Sequence, residues 1–127
     1  MLVLKLNIHV TGKQEVHSPS GTARMILFDG DCEGPYFRGV IEPGGVDTQI
    51  IAPDGRGTLS ARYSLQGMDR EGRPARMFIE NNAVLGRETH PRIWTDSPCL
   101  QWLETAALRG QIVSGGGKLT ILIEGEE

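Results

Sequence analysis

The sequence predicts an all-β protein: a single antiparallel β-barrel domain over residues 1–127, with about eight to ten strands and one short helix. Three observations support this fold class. Short runs of alternating apolar and polar residues fill the chain. Turn-forming residues separate these runs roughly every 8–12 positions. Glycine (17) and proline (7) together supply 24 of the 127 residues, well above their combined average of about 12%.

Residues 1–11 give the clearest strand pattern, because positions 2, 4, 6, 8 and 10 are leucine, isoleucine or valine and share one face of an extended chain. Later runs end in turn signals such as Pro53-Asp54-Gly55, where proline presets φ and glycine accepts a positive φ. Further strands are predicted at residues 22–28, 36–42, 46–52, 57–66, 76–85, 92–95, 108–114 and 118–124. With no long crossover between them, we expect an antiparallel meander that hides its edges by closing into a barrel.

One segment, residues 98–104, has the pattern of a helix. Ser97 is a typical cap, and Pro98 stands at the first helical position, where its missing N–H costs nothing. Leu100 and Leu103 are three residues apart and therefore share a helical face. A helix of at most two turns in an all-β domain is expected to plug one end of the barrel.

Composition and charge exclude several classes of protein. The net charge is −3, from 13 Lys and Arg against 16 Asp and Glu, so no nucleic-acid partner is expected. No apolar run approaches the roughly 18 residues of a membrane span, and no signal segment opens the chain. We therefore expect no membrane association and a cytoplasmic location. Cys32 and Cys99 are expected to be reduced there, and their pairing stays open.

Residues 34–55 read GPYFRGVIEPGGVDTQIIAPDG, and residues 59–63 read LSARY. Together with the later pair Trp102-Leu103, these motifs resemble the uncharacterised bacterial and fungal family catalogued as domain of unknown function 3237, over roughly residues 1–125. The resemblance implies an antiparallel β-barrel of calycin-like appearance that often forms homodimers, with no established activity for most members. The chain departs from the family pattern in a longer loop at residues 67–72 and a shorter stretch at residues 86–102.

A polar cluster is the candidate site. Strand alternation puts polar side chains on one side of three neighbouring strands, and these residues are Asp47, Gln49, Arg62, Glu80 and Asn82. If that side faces the interior, the five side chains converge in one lumen, which would be the default ligand site. If it faces water, as polar faces of antiparallel strands usually do, Arg62 instead forms a cross-strand ion pair with Asp47.

The site interpretation gives each residue a role. Arg62 would hold an anionic or carbonyl oxygen through its planar guanidinium group. Asp47 or Glu80 would accept a proton, with a pKa raised by enclosure. Gln49 and Asn82 would orient a ligand by hydrogen bonds. No cofactor is needed for such chemistry, which suits isomerisation, hydration or cyclisation of a small oxygenated molecule.

Trp102 is the remaining candidate: it either lines the barrel mouth and stacks on a ligand or plugs the barrel end. No metal site is expected, because the three histidines form no closely spaced pair and there is no Cys-x-x-Cys. Residues 114–118, SGGGK, have the wrong spacing for a phosphate loop and are expected to form a hairpin turn.

Three functions follow from these alternatives. The first is a barrel that binds a small organic molecule in a polar lumen. The second is a cofactor-free lyase, isomerase or cyclase that uses Asp47 or Glu80. The third is a packed structural barrel that mainly oligomerises. A ligand-sized void beside a carboxylate separates the second from the third.

Overall fold

A computed structural model describes all 127 residues and contains one eight-stranded antiparallel sheet with the strand order β6-β5-β4-β3-β2-β1-β8-β7. A short 3-10 helix, Pro98–Glu104, lies between β6 and β7. The strands are β1 (Leu2–Ser18), β2 (Gly21–Glu33), β3 (Phe37–Ile51), β4 (Gly57–Asp69), β5 (Pro74–Val84), β6 (Arg92–Thr95), β7 (Arg109–Gly115) and β8 (Lys118–Glu124).

The sheet curls until the two ends of its strand order meet. Thr89, just before β6, forms an antiparallel bridge with Gly110 of β7, and the Gly110 N–H donates to the Thr89 carbonyl at 2.8 Å. The predicted all-β fold, with antiparallel strands and one short helix at residues 98–104, is confirmed. That helix, seven residues long, is neither long nor apolar enough to cross a bilayer.

The predicted runs 36–42 and 46–52 form one strand instead of two. The register between β3 and β4 shifts between Ile41 and Val46, so Pro43-Gly44-Gly45 makes a bulge rather than a hairpin turn. Gly44 adopts a φ of +111°, which a residue with a side chain rarely takes. Four residues of β3 (42–45) lie opposite two of β4 (63–64). Because β3 has two extra residues there, an even number, odd-numbered residues of β3 face the same side of the sheet before and after the bulge.

β1 extends well beyond its predicted end, to Ser18. A bulge at Thr11 lies between the pairs Val10–Phe28 and Gly12–Leu27, and pairing with β2 then continues to the end of the strand. One extra residue reverses the alternation of β1, so Lys13 and Glu15 share a face with the even-numbered residues of β2.

The concave face of the sheet divides into an apolar end and a polar end. At the apolar end, Leu100 and Leu103 of the 3-10 helix are fully buried in a cluster with Leu6, Leu65 and Ile79. Phe28 and Tyr63 meet edge to face there at 5.2 Å between ring centroids. Cys32 is a buried free thiol in the same cluster, and Cys99 is also free. The polar end is described next.

Candidate functional site

The convex face carries three of the predicted site residues. In β4 the buried residues alternate, with Ala61 and Tyr63 facing the core, so Arg62 is forced outward. Glu80 lies opposite Arg62 in β5, and their side chains form an ion pair at 3.1 Å. The predicted ion pair of Arg62 with Asp47 is therefore wrong, because Asp47 pairs with Ala61 and faces the other side of the sheet. Asn82 is also on this face and exposed. The expectation that all five polar residues converge in a lumen is therefore wrong for Arg62, Glu80 and Asn82.

Asp47 and Gln49, by contrast, lie on the concave face. In the register of β3 with β4, Asp47 pairs with Ala61 and Gln49 pairs with Leu59, both of which face inward. The Gln49 Nε2 donates a hydrogen bond to Asp47 Oδ2 at 3.0 Å. These two residues thus form the part of the predicted cluster that the fold does bring together.

A hydrogen-bonded chain extends from Gln49 to β1. Arg24 of β2 donates from Nη1 to Gln49 Oε1 at 3.2 Å and from Nε to Glu15 Oε1 at 3.2 Å. Glu15 also forms ion pairs with Lys13 at 2.9 Å and His17 at 3.1 Å. Sequence alternation alone did not identify Glu15, because the bulge at Thr11 moves the end of β1 onto the other face. Arg24 had a signal in the sequence, since it is a charged residue on the same face of β2 as Ile26 and Phe28.

Two buried oxygens at this end have no protein hydrogen-bond donor: Asp47 Oδ1 and Asn81 Oδ1. Ala61 lies between the two residues in the register, paired with Asp47 on one side and Asn81 on the other. Asn81 had a signal in the sequence, since it continues the apolar alternation of Met77 and Ile79 with a polar residue.

Burial sets the titration of the central carboxyl group. Desolvation raises the pKa of Asp47 above its ordinary value, and the hydrogen bond from Gln49 offsets only part of that rise. At the other end of the hydrogen-bonded series from Asp47 to Glu15, the pKa of Glu15 is lowered, first by the hydrogen bond from Lys13 and then by the charges of Lys13 and Arg24. The network therefore runs from a stabilised carboxylate at the rim to a destabilised one inside.

A cleft of about 620 Å³ opens at the polar end. Asp47, Gln49 and Leu59 line one side, and Thr89 and Arg109 belong to another. The remaining charged lining residues are Arg87, Glu88 and Glu124. This volume is within the range of small-molecule sites, roughly 300–1,000 Å³. The orphaned Asp47 carboxyl oxygen belongs to a residue that lines this space.

A larger groove of about 850 Å³ lies along β1 and β2. Apart from Arg38, its charged and amide side chains already pair with each other: Asn7 Nδ2 donates to Asp31 Oδ1 at 2.7 Å, and Lys5 lies 3.8 Å from Glu33. With their polar groups satisfied within the protein, these residues offer a ligand less than the cleft does.

Trp102 does not line the cleft. It lies on the 3-10 helix, half-buried, and its ring meets Tyr36 edge to face at 5.2 Å. The Arg70 guanidinium group lies 5.1 Å from the centre of the Tyr36 ring on the same part of the surface. The structure therefore places Trp102 with the helix that closes the apolar end, apart from Asp47 and Gln49.

One group of potential metal ligands, Asp69, Glu71 and Cys99, has its donor atoms within 4.8 Å of each other. The Asp69 carboxylate is already occupied, because it accepts hydrogen bonds from the backbone N–H groups of Glu71 and Arg73 at 2.9 and 3.0 Å. The Ser97 hydroxyl donates to its second oxygen at 2.8 Å. These contacts make Asp69 the cap of the turn between β4 and β5.

Comparison with known proteins gives a family and a fold. A model of the family described as proteins of unknown function (DUF3237) matches residues 1–88. A UPF0311 protein of Clostridium acetobutylicum is 41% identical over 58 residues, covering 46% of this chain and 34% of that protein. The matched part of the chain thus spans only about a third of the length of this curated relative.

Solved structures share the whole fold at low identity. A protein of unknown function from Clostridium acetobutylicum superposes with a TM-score of 0.82 at 24% identity, over 98% of this chain and 94% of that one. A beta-barrel like protein from Acinetobacter baumannii gives 0.79 at 19% identity, over 98% and 92%. An enzyme from Penicillium herquei gives 0.75 at 17% identity, again over 98% and 92%. At these identities the likeness shows the fold alone.

Proposed function

The chain belongs to the DUF3237 family of proteins of unknown function, and we propose that it binds a small organic molecule in the cleft at the polar end of its concave face. The molecule carries hydroxyl or amine groups, because the buried groups without a partner are acceptors. Asp47, which lines the cleft, accepts one hydrogen bond, and Gln49 holds its carboxylate in place. Asn81 lies beyond Ala61, outside the cleft lining, so it accepts a second hydrogen bond only from a donor group that extends past Ala61.

The pair of orphaned oxygens carries this proposal. A buried acceptor without a donor costs about 1–3 kcal/mol, so natural proteins hold few of them. Here two such acceptors stand on either side of Ala61 on one face, and Asp47 lines a ligand-sized cleft. A ligand that donates to both oxygens removes both penalties at once. Departures from local stability rules of this kind tend to mark functional sites.

Thermal shifts of the purified protein test the proposal. The probes are glycerol, small hydroxy acids and small amino alcohols at millimolar concentration. We expect one class to raise the melting temperature of the wild type and to lose that effect in Asp47→Asn and in Asn81→Leu. Arg62→Met, on the convex face, serves as the matched control and keeps the shift. If a probe stabilises all four proteins equally, its binding site lies elsewhere and the proposal is wrong.

A second candidate is cofactor-free catalysis as a lyase, isomerase or cyclase. It is supported by the raised pKa of Asp47, because a carboxylate that holds a proton more tightly is a stronger general base. The fold-level likeness to the Penicillium herquei enzyme agrees with it. Glu80 has no part in this proposal, because it faces the convex side. Conversion of a bound probe, followed by proton NMR and lost in Asp47→Asn, would distinguish an enzyme from a binder.

We also propose self-association as a homodimer through the convex face. One row across β1 to β5 consists of uncharged residues: Val16, Ala23, Ile50, Thr58 and Val84. Val16 is 67% exposed, Ile50 55% and Val84 52%, although side chains of this type are usually buried. A neutral apolar row can pack against its own copy about a two-fold axis. Light scattering should show a dimer that Ile50→Lys converts to monomer, and a wild-type monomer at high concentration would exclude it.

A further inference from the structure

We propose that Arg24 is a positioning residue of this site: it fixes the Gln49 amide so that Gln49 donates to Asp47 Oδ2 and leaves Asp47 Oδ1 as the free acceptor. The inference deepens the proposed function and rests on it only in calling Asp47 the ligand-binding group. Its geometry consists of the three hydrogen bonds that connect Glu15, Arg24, Gln49 and Asp47.

The chemistry of the four side chains permits only one arrangement of these bonds. A guanidinium group has donors and no acceptor, so the Gln49 atom that faces Arg24 must be the carbonyl oxygen. An ionised carboxylate has acceptors and no donor, so the atom that faces Asp47 must be the amide nitrogen. The observed contacts, Arg24 Nη1 to Gln49 Oε1 and Gln49 Nε2 to Asp47 Oδ2, have this polarity.

Arg24 is itself held on the other side. Its Nε donates to Glu15 Oε1 at 3.2 Å, while its Nη1 reaches Gln49 at 3.2 Å, so one planar group connects β1 to β3. The Arg24 side chain is 28% exposed and that of Glu15 is 20% exposed. Partial burial limits the side-chain motion that would otherwise weaken such contacts on an open surface.

Without Arg24, Gln49 would be free to rotate its amide. The rotated amide would present its oxygen to Asp47, an arrangement that favours a protonated carboxyl group over a carboxylate. Removal of Arg24 is therefore expected to raise the pKa of Asp47. The other charged groups of the cleft, Arg87, Glu88, Arg109 and Glu124, are unchanged by the substitution.

A double-mutant cycle read out by the titration of Asp47 tests the inference. Carbon-13 NMR of the side-chain carboxyl groups follows the ligand-free protein with pH, and Asp47→Asn identifies the Asp47 signal. The variants are Arg24→Met, Gln49→Leu and the double mutant. Arg62→Met is the matched control, because Arg62 also pairs with a glutamate and lies one position from the partner of Asp47, on the opposite face.

We expect the Asp47 pKa to rise in Arg24→Met by more than it changes in Arg62→Met. Adding Arg24→Met to Gln49→Leu should give no further rise, because Arg24 acts through the Gln49 amide. Arg24→Lys, which keeps a charged donor, should restore part of the wild-type value. If Arg24→Met does not fold, Arg24→Gln takes its place in the cycle.

Two outcomes would overturn the inference. One is an unchanged Asp47 pKa in the folded Arg24 variants. The other is an equal rise with and without Gln49, which would mean that the Arg24 charge acts on Asp47 directly. Because no ligand is used, failure here is distinguishable from failure of the proposed function, which the thermal shifts test separately.

Discussion

Replacing Asn81 by leucine should make the ligand-free protein more stable. Asn81 is 9% exposed, and its Oδ1 has no protein donor. Such an acceptor costs about 1–3 kcal/mol, and leucine removes it while keeping the number of side-chain heavy atoms and their branching at Cγ. The leucine methyl groups are larger than the amide oxygen and nitrogen, and its Cγ is tetrahedral where that of asparagine is planar, so the resulting strain offsets part of the gain. A net gain of about 1–2 kcal/mol in the free energy of unfolding is expected.

Urea unfolding followed by tryptophan fluorescence measures this gain, with calorimetry as the second readout. For a chain of this length, about 1 kcal/mol corresponds to roughly 4 °C in melting temperature. Asn82→Leu is the matched control, since it makes the same change one residue further along β5 on the exposed convex face. It should change stability by no more than about 0.5 kcal/mol. Equal urea m-values would show that both variants unfold from comparable states.

A loss of stability in Asn81→Leu, with Asn82→Leu unchanged, would refute the reasoning. It would mean that Asn81 Oδ1 is satisfied in solution and that the polar end is part of the ordinary packing. A gain of stability combined with loss of the ligand-induced thermal shift is the opposite result. That combination is typical of a residue retained for binding at a cost to stability.

Three further predictions concern charged groups. Burial raises the pKa of Asp47, so the folded state holds this proton more tightly than the unfolded state does. The free energy of unfolding of the wild type therefore falls as pH rises from 3.8 through the raised pKa. Asp47→Asn does not ionise, so its stability relative to the wild type, measured by urea unfolding, should grow over that interval and then stay constant. Arg62→Met should cost less than about 1 kcal/mol, because Arg62 is 60% exposed in its ion pair with Glu80, and a loss of about 3–5 kcal/mol would instead indicate a buried pair. The pKa of Asp69 is lowered, chiefly by the hydrogen bond from the backbone N–H of Arg73. The Asp69 carboxylate therefore contributes to the free energy of unfolding at neutral pH, and this contribution is lost as pH falls through the lowered pKa. Asp69→Ala should therefore melt at lower temperature at pH 7 and show a shallower acid transition, and unchanged melting would contradict its role as a turn cap.

Alternation predicted the strands well where both faces of the sheet have clear chemistry. The run at residues 57–66 placed Leu59, Ala61, Tyr63 and Leu65 on one face, and these are the residues that β4 buries. The predicted helix at residues 98–104 begins and ends where the structure has it, with Pro98 at its first position and a 3-10 rather than an α geometry. The predicted cap is wrong in detail, because the Ser97 side chain makes no capping hydrogen bond and donates to Asp69 instead. In each case a local pattern and the final burial agree.

The site was harder to predict because alternation assigns residues to two faces without saying which face becomes concave. Treating the polar side of β4 as the interior wrongly placed Arg62 in a lumen. Bulges add a second difficulty, since the extra residue Thr11 reverses the alternation of β1 and brings Glu15 inward. Asn81 was detectable as a polar residue on an apolar face, a pattern that only burial makes informative.

The same part of β1 also explains why the polar end is open. β8 pairs with β1 only from Leu2 to Ile8, whereas β1 continues alongside β2 to Ser18. Beyond Ile8 the curled sheet therefore lacks a strand on one side, and the bulge at Thr11 follows directly. The strand loses its outer partner and turns Lys13 and Glu15 inward within a few residues. The opening in the sheet and the hydrogen-bonded side chains that lead from Glu15 to Asp47 thus have a common origin in the local geometry of β1.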